Sequence, residues 1–459
     1  MDNKITRFFN FIKNKKVAFC GIGGSNLPLI KMFSQKGAIV SAHDRRNEEQ
    51  LGETANELKA MGVKFCLGED YLDKLDADII FRTPGMKYYL PQLNEARKKG
   101  AAVTSEMEVF FDLCPCKIYA ITGSDGKTTT STLISEMLKR SGKTVHLGGN
   151  IGKPLLPEIE NINENDVAVV ELSSFQLISM RKSPDVAVVT NLAPNHLDVH
   201  ASMQEYVDSK KNILLHQNAF SRTVLNLDNE ITLSFAEETR GETLFFSRNN
   251  KTDRGFYLEN DFIVKDSGEK VLNINDIKIP GWHNVENYMA AIAAVWGEVS
   301  VEEINDVAKN FGGVEHRNEL VRVLDGVSYY NDSIGSSPSR TIGGALSLYD
   351  KKIILIAGGY DKKIPYEPLG EVIPSKVKEL ILIGATAPKI EEAVKNAKDY
   401  SEGNPNIYRA ESMQDAVNIA RKIAKEGDIV SLSPASASFD MYPNFEVRGR
   451  HFKQLVNEL

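Results

Sequence analysis

The run ITGSDGKTTT (121–130) carries the densest chemistry in the chain. It follows an apolar, strand-like segment, KIYAITG, and opens a helical pattern, TTSTLISEMLKR. A strand, a glycine turn and then Gly-Lys-Thr make a cradle for phosphate. The glycines let backbone N–H groups approach phosphate oxygens, and the helix N-terminus adds a favourable dipole. Gly123, Ser124, Asp125, Gly126, Lys127, Thr128 and Thr129 form this loop. Lys127 would supply a point charge to the β- and γ-phosphates, and the Thr128 hydroxyl a magnesium ligand. Two residues separate Gly123 from Gly126 where the usual P-loop has four.

A second constellation lies at two strand ends. VAVVELSSFQL puts Glu171 where an apolar strand stops, and VAVVTNLAPNHLDVH puts Asn191, Asn195, His196 and Asp198 just past another. In parallel sheets, ligand sites lie beyond the carboxyl ends of the strands. Thr128, Glu171 and His196 are therefore expected to converge. Oxygen ligands suit a hard cation, and an imidazole can complete a second metal position. His196 and His200 have the i, i+4 spacing of a zinc helix, but the Glu of H-E-x-x-H is missing, which favours magnesium over zinc. Taken alone, His196 reads as a satisfied loop histidine.

Further candidates are weaker singly. In GWHNVENYMAA, Asn284 and Asn287 share a helix face and could hydrogen-bond a planar base; alone, such a pair is more often solvated or capping. EHRNE (315–319) carries Arg317. YYNDSIGSSPSRT, AGGYDKK and SLSPASASFDMYPNFEVRG are three strand ends expected on one side of one sheet, which makes a polar substrate pocket. CGIGGSN (20–26), with HDRR (43–46) about 20 residues on, resembles a dinucleotide-type turn without the full G-x-G-x-x-G.

These residues need a scaffold, and the hydropathy pattern supplies one. Short β-branched runs alternate with longer helical patterns, the signature of βαβ units and parallel sheets. A first block holds strands at 16–22, 38–44 and 78–84, a second at 117–123, 144–150, 167–173 and 186–192, and a third at 327–333, 352–359, 379–386 and 428–434. Between 223 and 280, TVLNLD, TLFFS and GFYLENDFIV read as a small antiparallel meander attached to the second block. GWHNVENYMAAIAAVW reads as a helix with an alanine-rich packed face. Boundaries fall near 105–111 and 310–319, where paired glycines interrupt a helix.

Composition narrows the class. The chain has 459 residues, 42% hydrophobic and 25% charged, the mix of a globular protein of several domains rather than a disordered one. A net charge of −7 gives no global reason to hold nucleic acid. No apolar run reaches a membrane span, and charges through MDNKITRFFNFIKNKK argue against a signal peptide, so a cytoplasmic protein is expected. Four cysteines make no disulfide scaffold; Cys20 and Cys66 sit in strand-like runs, and Cys114 and Cys116 lack zinc-finger spacing.

TGSDGKTTT, ELSSFQL, NLAPNHLDVH, HN-x-x-N, EHR, NDS and LSPASASFDMY-x-x-FE-x-RG occur in the order found in the Mur ligase family, which the chain resembles over nearly its whole length. The resemblance implies three α/β domains: a dinucleotide-binding-like parallel sheet for a UDP-sugar (1–107), a central P-loop ATPase domain with a small antiparallel sheet (108–313), and a C-terminal domain for the incoming amino acid (314–459). The C-terminal motif points to the member that adds D-glutamate to UDP-N-acetylmuramoyl-L-alanine, splitting ATP to ADP and phosphate through an acyl phosphate, in peptidoglycan synthesis. The resemblance implies two magnesium ions, with manganese as a substitute, and a monomer.

Carried over by position, Lys127 and Thr128 match the ATP-phosphate lysine and magnesium hydroxyl, and Glu171 and His196 match magnesium ligands. Lys210 matches a lysine that becomes carbamylated, turning a cation into an anionic oxygen ligand; by itself it reads as a solvated helix lysine. Asn284, Asn287, Arg317 and Asp332 match ATP-binding positions. Ser25, Asp44, Arg45, Thr83, Gly85, Asn150 and Ser173 match positions near the UDP-sugar, and Ser336, Lys362, Ser433 and Phe439 the D-glutamate pocket. Three departures stand out: Ile334-Gly335-Ser336-Ser337 replaces Lys-Ala-Thr-Asn of many relatives, Asn195 replaces an Asp, and Lys362 and Lys363 could exchange roles. Other amide ligases of the same fold, folylpolyglutamate synthetases among them, a nucleotide-sensing module without turnover, and an NAD-dependent oxidoreductase are the competing readings.

Overall fold

The computed structural model describes residues 3–193, 200 and 202–459. These form two compact units, Met1–Asp276 with His283–Ala308, and Ile277–Trp282 with Lys309–Leu459. The first unit contains two sheets and the second contains one.

The first sheet is fully parallel: β1 (Lys16–Cys20), β2 (Ile39–Asp44), β3 (Lys64–Leu67), β4 (Ile79–Arg82) and β5 (Ala102–Thr104), in the order β3-β2-β1-β4-β5. The order reverses at β1, so the loops after β1 and β4 face each other across a crevice, as ligand-binding α/β sheets arrange it. A Cβ on Gly21 would sit 3.1 Å from Thr83 Cγ2, in a left-handed backbone (φ 98°), so glycine keeps the two loops close. Beneath them, Phe33 packs edge-on against Phe19 and Phe81, all three wholly buried.

The second sheet has nine strands: β6 (Lys117–Thr122), β7 (Val145–Gly149), β8 (Val167–Glu171), β9 (Val186–Val189), β10 (Arg222–Asn226), β11 (Glu242–Ser247), β12 (Gly255–Glu259), β13 (Phe262–Lys265) and β14 (Lys270–Asn273). Their order is β14-β13-β12-β11-β10-β9-β6-β8-β7. Central strands β8 (VAVVE) and β9 (VAVV) are buried at every residue, as a sheet covered on both faces requires. β6 lies between β8 and β9, so its loop is flanked by the ends of both.

The expected antiparallel meander is smaller than its sequence run. TVLNLD and TLFFS form β10 and β11, which pair in parallel with their neighbours and extend the main sheet; only β12 to β14 pair antiparallel. Short strands with polar turns look alike in either orientation; what decides is whether the connection crosses over, as Asp228–Arg240 does here through two short helical turns. The alanine-rich helix Trp282–Val295 is buried at every position from Tyr288 to Val295, not on one face alone.

The second unit holds β15 (Glu319–Leu324), β16 (Val327–Asn331), β17 (Ile353–Ala357), β18 (Val377–Ile383), β19 (Asn406–Ala410) and β20 (Ile429–Leu432), in the order β15-β16-β20-β17-β18-β19. Only β15 is antiparallel.

One carboxyl is built into the first unit's core. Glu106, 4% exposed, begins the helix Glu106–Leu113 and accepts the N–H groups of Leu155 and Leu156, both at 2.9 Å. Burial pushes it up to about 7, against those two N–H groups. A folded state that keeps a proton the unfolded chain has released loses stability as pH rises. Stability should therefore fall between about pH 4.5 and about 7, and Glu106→Gln should flatten that segment in urea midpoints measured across the range.

Candidate functional site

The loop after β6 passes through a gap too narrow for side chains. Gly123 (φ 151°) and Gly126 (φ 77°) have backbone angles that other residues seldom adopt. A Cβ on Gly123 would collide with Thr190 Oγ1, and one on Gly126 with Asn287 Oδ1. Gly126 is also the N-cap of the helix Lys127–Arg140, and having no side chain it leaves the first helical N–H groups uncapped. That is the chemistry of an anion cradle.

The loop is braced on several sides. Thr190 Oγ1, just past β9, donates to Asp125 O (2.6 Å), and Asp125 N donates to Asn191 Oδ1 (2.9 Å). Asn226 Nδ2 holds Thr190 O (2.9 Å). Ser124 Oγ pairs with Tyr206 Oη (2.9 Å). Lys127 Nζ donates to Gly123 O (2.9 Å) and Ser124 O (2.8 Å), folded over its own turn.

Thr128 Oγ1 donates to Glu171 Oε2 at 2.7 Å, and Asn150 Nδ2 donates to Glu171 Oε1 at 2.8 Å. The expected meeting of Thr128 with Glu171 is thus present, with Asn150 added. Both are hard oxygen donors on a loop and a strand end, a set that fits magnesium, with room in its shell for phosphate and water. His196 lies outside the described residues, as do Asn195 and Asp198. His200 is occupied structurally: it bonds Ser174 Oγ (2.9 Å) and Glu205 Oε2 (3.2 Å) and stacks on Phe175. Among the described residues, no three of His, Cys, Asp and Glu cluster as a metal site.

Lys210 is not a solvated helix lysine. It is 2% exposed, and its Nζ donates to Gly123 O (2.9 Å) and Thr122 Oγ1 (3.1 Å). Burial first and the Lys127 charge second pull its amine down to about 7. Asn287 accepts from Thr130 Oγ1 (3.2 Å) and donates to Asn284 Oδ1 (3.1 Å), so the asparagine pair is tied to the loop helix rather than solvated. Thr129 is half-buried in the helix's first turn.

On the first sheet, Ser25, Asp44, Arg45, Thr83 and Gly85 all follow the ends of β1, β2 and β4. Asp44 Oδ2 accepts Ile22 N (2.7 Å), and both its oxygens accept Arg46 (2.9 Å each). Burial pushes this carboxyl up, but Arg46 and the backbone donors outweigh it and hold it at about 2. Its oxygens thus brace the turn, which weakens the ribose-binding reading of an NAD site. Arg45 pairs with Glu69 (3.0 Å) at the surface. Ser173 caps the helix Ser174–Leu177. Arg82, unnoticed in the sequence, is 1% exposed and donates to Phe175 O (3.0 Å) and Ser179 Oγ (2.7 Å), tying the first sheet to the segment after Glu171.

In the second unit, Asp332 follows the last residue of β16 and accepts Ser433 Oγ (2.6 Å) and Asn318 N (3.3 Å). Burial pushes it up to about 6 against those donors. Ser433 is wholly buried and also meets Thr341 Oγ1 (2.9 Å). A Cβ on Gly335 would sit 2.7 Å from Asp332 Oδ2, so the glycine makes room for this pair. Lys362 Nζ reaches Ser336 O (3.3 Å), while Lys363 (φ 59°) turns its N–H to Asp361. Phe439 is 63% exposed beside Tyr360. Arg317 follows His316 (φ 65°), whose Nδ1 meets Asn331 Nδ2 at 3.0 Å.

The FEVRG run does structural work that the sequence reading missed. Arg448, 1% exposed, donates to Ser333 O, Ser436 O and Ala437 O, holding two strand-end loops together. A Cβ on Gly449 would strike His316. The signal was readable: Arg448 falls in helical phase with buried Phe452, Leu455 and Val456.

Parallel sheets, a Gly-Lys-Thr loop opening a helix and an acid one strand away define an α/β protein of the phosphate-binding-loop class. Residues 121–295 match the Mur ligase middle domain and residues 316–436 the Mur ligase glutamate ligase domain. Proteins named UDP-N-acetylmuramoylalanine–D-glutamate ligase are 54% identical in Acetivibrio thermocellus and 53% in Ruminiclostridium cellulolyticum, over the whole of both chains. The fold is shared with the UDP-N-acetylmuramate-alanine ligase of Thermotoga maritima (TM-score 0.57, 18% identity, covering 97% of this chain and 99% of that one). It is also shared with a UDP-N-acetylmuramoyl-L-alanyl-D-glutamate–2,6-diaminopimelate ligase (TM-score 0.57, 18% identity, covering 84% and 94%). The chain belongs to the Mur ligase family.

Gly126→Ala should displace the Asn287 side chain and strain a left-handed residue, costing roughly 1–2 kcal/mol or more. A shift in the urea midpoint measures it; an unchanged midpoint would show that the gap can widen freely.

Proposed function

We propose that this chain is an ATP-dependent amide ligase that joins D-glutamate to UDP-N-acetylmuramoyl-L-alanine, a step of peptidoglycan synthesis. The observation that carries the reading is full-length identity above 50% to ligases of that name, with the family's loop residues intact from Gly123 to Thr128. The substrate carboxylate attacks the γ-phosphorus of ATP; an acyl-phosphate bond forms as the bond to ADP breaks. The amine of D-glutamate then attacks the acyl carbon, and a tetrahedral intermediate collapses to the amide with loss of phosphate. Such transfers need positioning and charge neutralisation more than covalent help.

Each residue of the cradle has a share. Lys127 exchanges its loop carbonyls for phosphate oxygens, and the helix N-terminus after Gly126 adds N–H donors. Thr128 and Glu171 would hold magnesium, which when bound offsets the crowded phosphate charge. His196 and a carbamylated Lys210 are the ligands we assign to a second ion. A neutral, buried amine is the form that takes up carbon dioxide, which supports Lys210 in that role. Residues 1–107 are assigned to the UDP-sugar, 108–313 to ATP and 314–459 to D-glutamate. No described helix is long and apolar enough to cross a membrane, which accords with a cytoplasmic enzyme. We assign the chain as a monomer.

Mass analysis after mixing ATP, magnesium, D-glutamate and the UDP-sugar peptide should give a product heavier by one glutamyl residue, with phosphate released. Release with L-lysine, diaminopimelate or a folate in place of D-glutamate would overturn the substrate assignment. Lys127→Ala should lower turnover roughly 100–1000-fold in a folded protein, the range for losing one charge-stabilising donor. Lys210→Ala should lose activity and regain part of it with added short carboxylic acids; absence of any recovery counts against the carbamate.

A further inference from the structure

Cys114 and Cys116 lie where the helix Glu106–Leu113 ends and β6 begins. Their sulfurs are 3.5 Å apart. One proline separates them, and the chain turns out of the helix at Cys114 (φ −54°, ψ 124°). Cys114 is partly exposed and Cys116 nearly buried, so a reagent in solvent meets Cys114 first. A disulfide needs sulfurs at about 2.05 Å, a closure of about 1.5 Å from the present distance, within reach of side-chain rotation. Cys20 and Cys66 stand in β1 and β3, away from this turn in the chain.

The two thiols differ in character. The contact with the Cys116 sulfur first, and with the Cys116 backbone after it, draws Cys114 below the ordinary thiol range against burial and Asp185, and the Lys4 cation adds to the fall. The same contact, with burial, pushes Cys116 up. Cys114, the more exposed of the two, is placed to be attacked or to attack first, and Cys116, 3.5 Å behind it, is placed to resolve.

We propose that Cys114 and Cys116 form a reversible dithiol–disulfide site, oxidised by low-molecular-weight disulfides. The Cys114 thiolate attacks one sulfur of R–S–S–R, forming a mixed disulfide and releasing R–S⁻. Cys116 gives its proton to solvent and attacks the Cys114 sulfur, closing the protein disulfide and releasing the second R–S⁻. Two electrons pass from the dithiol to the reagent, which leaves as two thiols.

The test treats the folded full-length chain with saturating oxidised glutathione, then alkylates it with N-ethylmaleimide under denaturing conditions. Trypsin releases residues 100–117, a peptide holding both cysteines and no other. That peptide should carry no maleimide and be two hydrogens lighter than its dithiol form, and dithiothreitol should restore both alkylatable thiols. Cys116→Ser should instead accumulate a lasting glutathione adduct on Cys114. Two maleimides on the treated wild-type peptide, a lasting glutathione adduct there, or a cross-link between two chains through it would each overturn the proposal.

Discussion

The close passage of the β6 loop beneath Thr190 and Asn287 is the constraint on which the first unit's site rests. Without a Cβ at residues 123 and 126 the backbone turns inside that gap, and the turn aims the first N–H groups of the following helix outward. Every brace on the loop comes from another strand end or helix: Thr190 and Asn191 after β9, Tyr206 and Lys210 on the helix Met203–Leu215, Asn287 on the buried alanine-rich helix. The loop is therefore preorganised by the whole sheet rather than by its own sequence, as a phosphate cradle must be if it is to pay no ordering cost on binding.

Charge is distributed with the same economy. Two lysines, Lys127 and Lys210, share the carbonyl of Gly123. Burial lowers the Lys210 amine, and the Lys127 charge beside it adds to the fall. On the opposite side, Glu171 is fixed by Thr128 and Asn150, so its carboxylate is oriented before any cation arrives.

The second unit solves a similar problem by different means. Its strand-end loops are held by Arg448 on the helix Phe445–Glu458, whose guanidinium serves three carbonyls, and by the Asp332–Ser433–Thr341 chain. Glycine at 335 leaves the space that Asp332 and Ser433 need, and glycine at 449 the space that His316 needs. A buried, hydrogen-bonded network of this kind loses its geometry if any one member is left unpaired.

Much was legible in the residues alone. Alternating β-branched runs and helical patterns announced three α/β blocks, and Gly-Lys-Thr after a strand announced the cradle, because these signals are local and repeat the periods of strand and helix. Glu171 was legible because parallel sheets collect ligands at their strand ends. Other features waited for the fold. The parallel pairing of β10 and β11, the burial of Lys210, and the bond from Ile22 N to Asp44 depend on partners some twenty or more residues away. Type and spacing declare what a side chain can do; burial, charge and the neighbour across the sheet decide what it does, and those exist only after the chain has closed on itself.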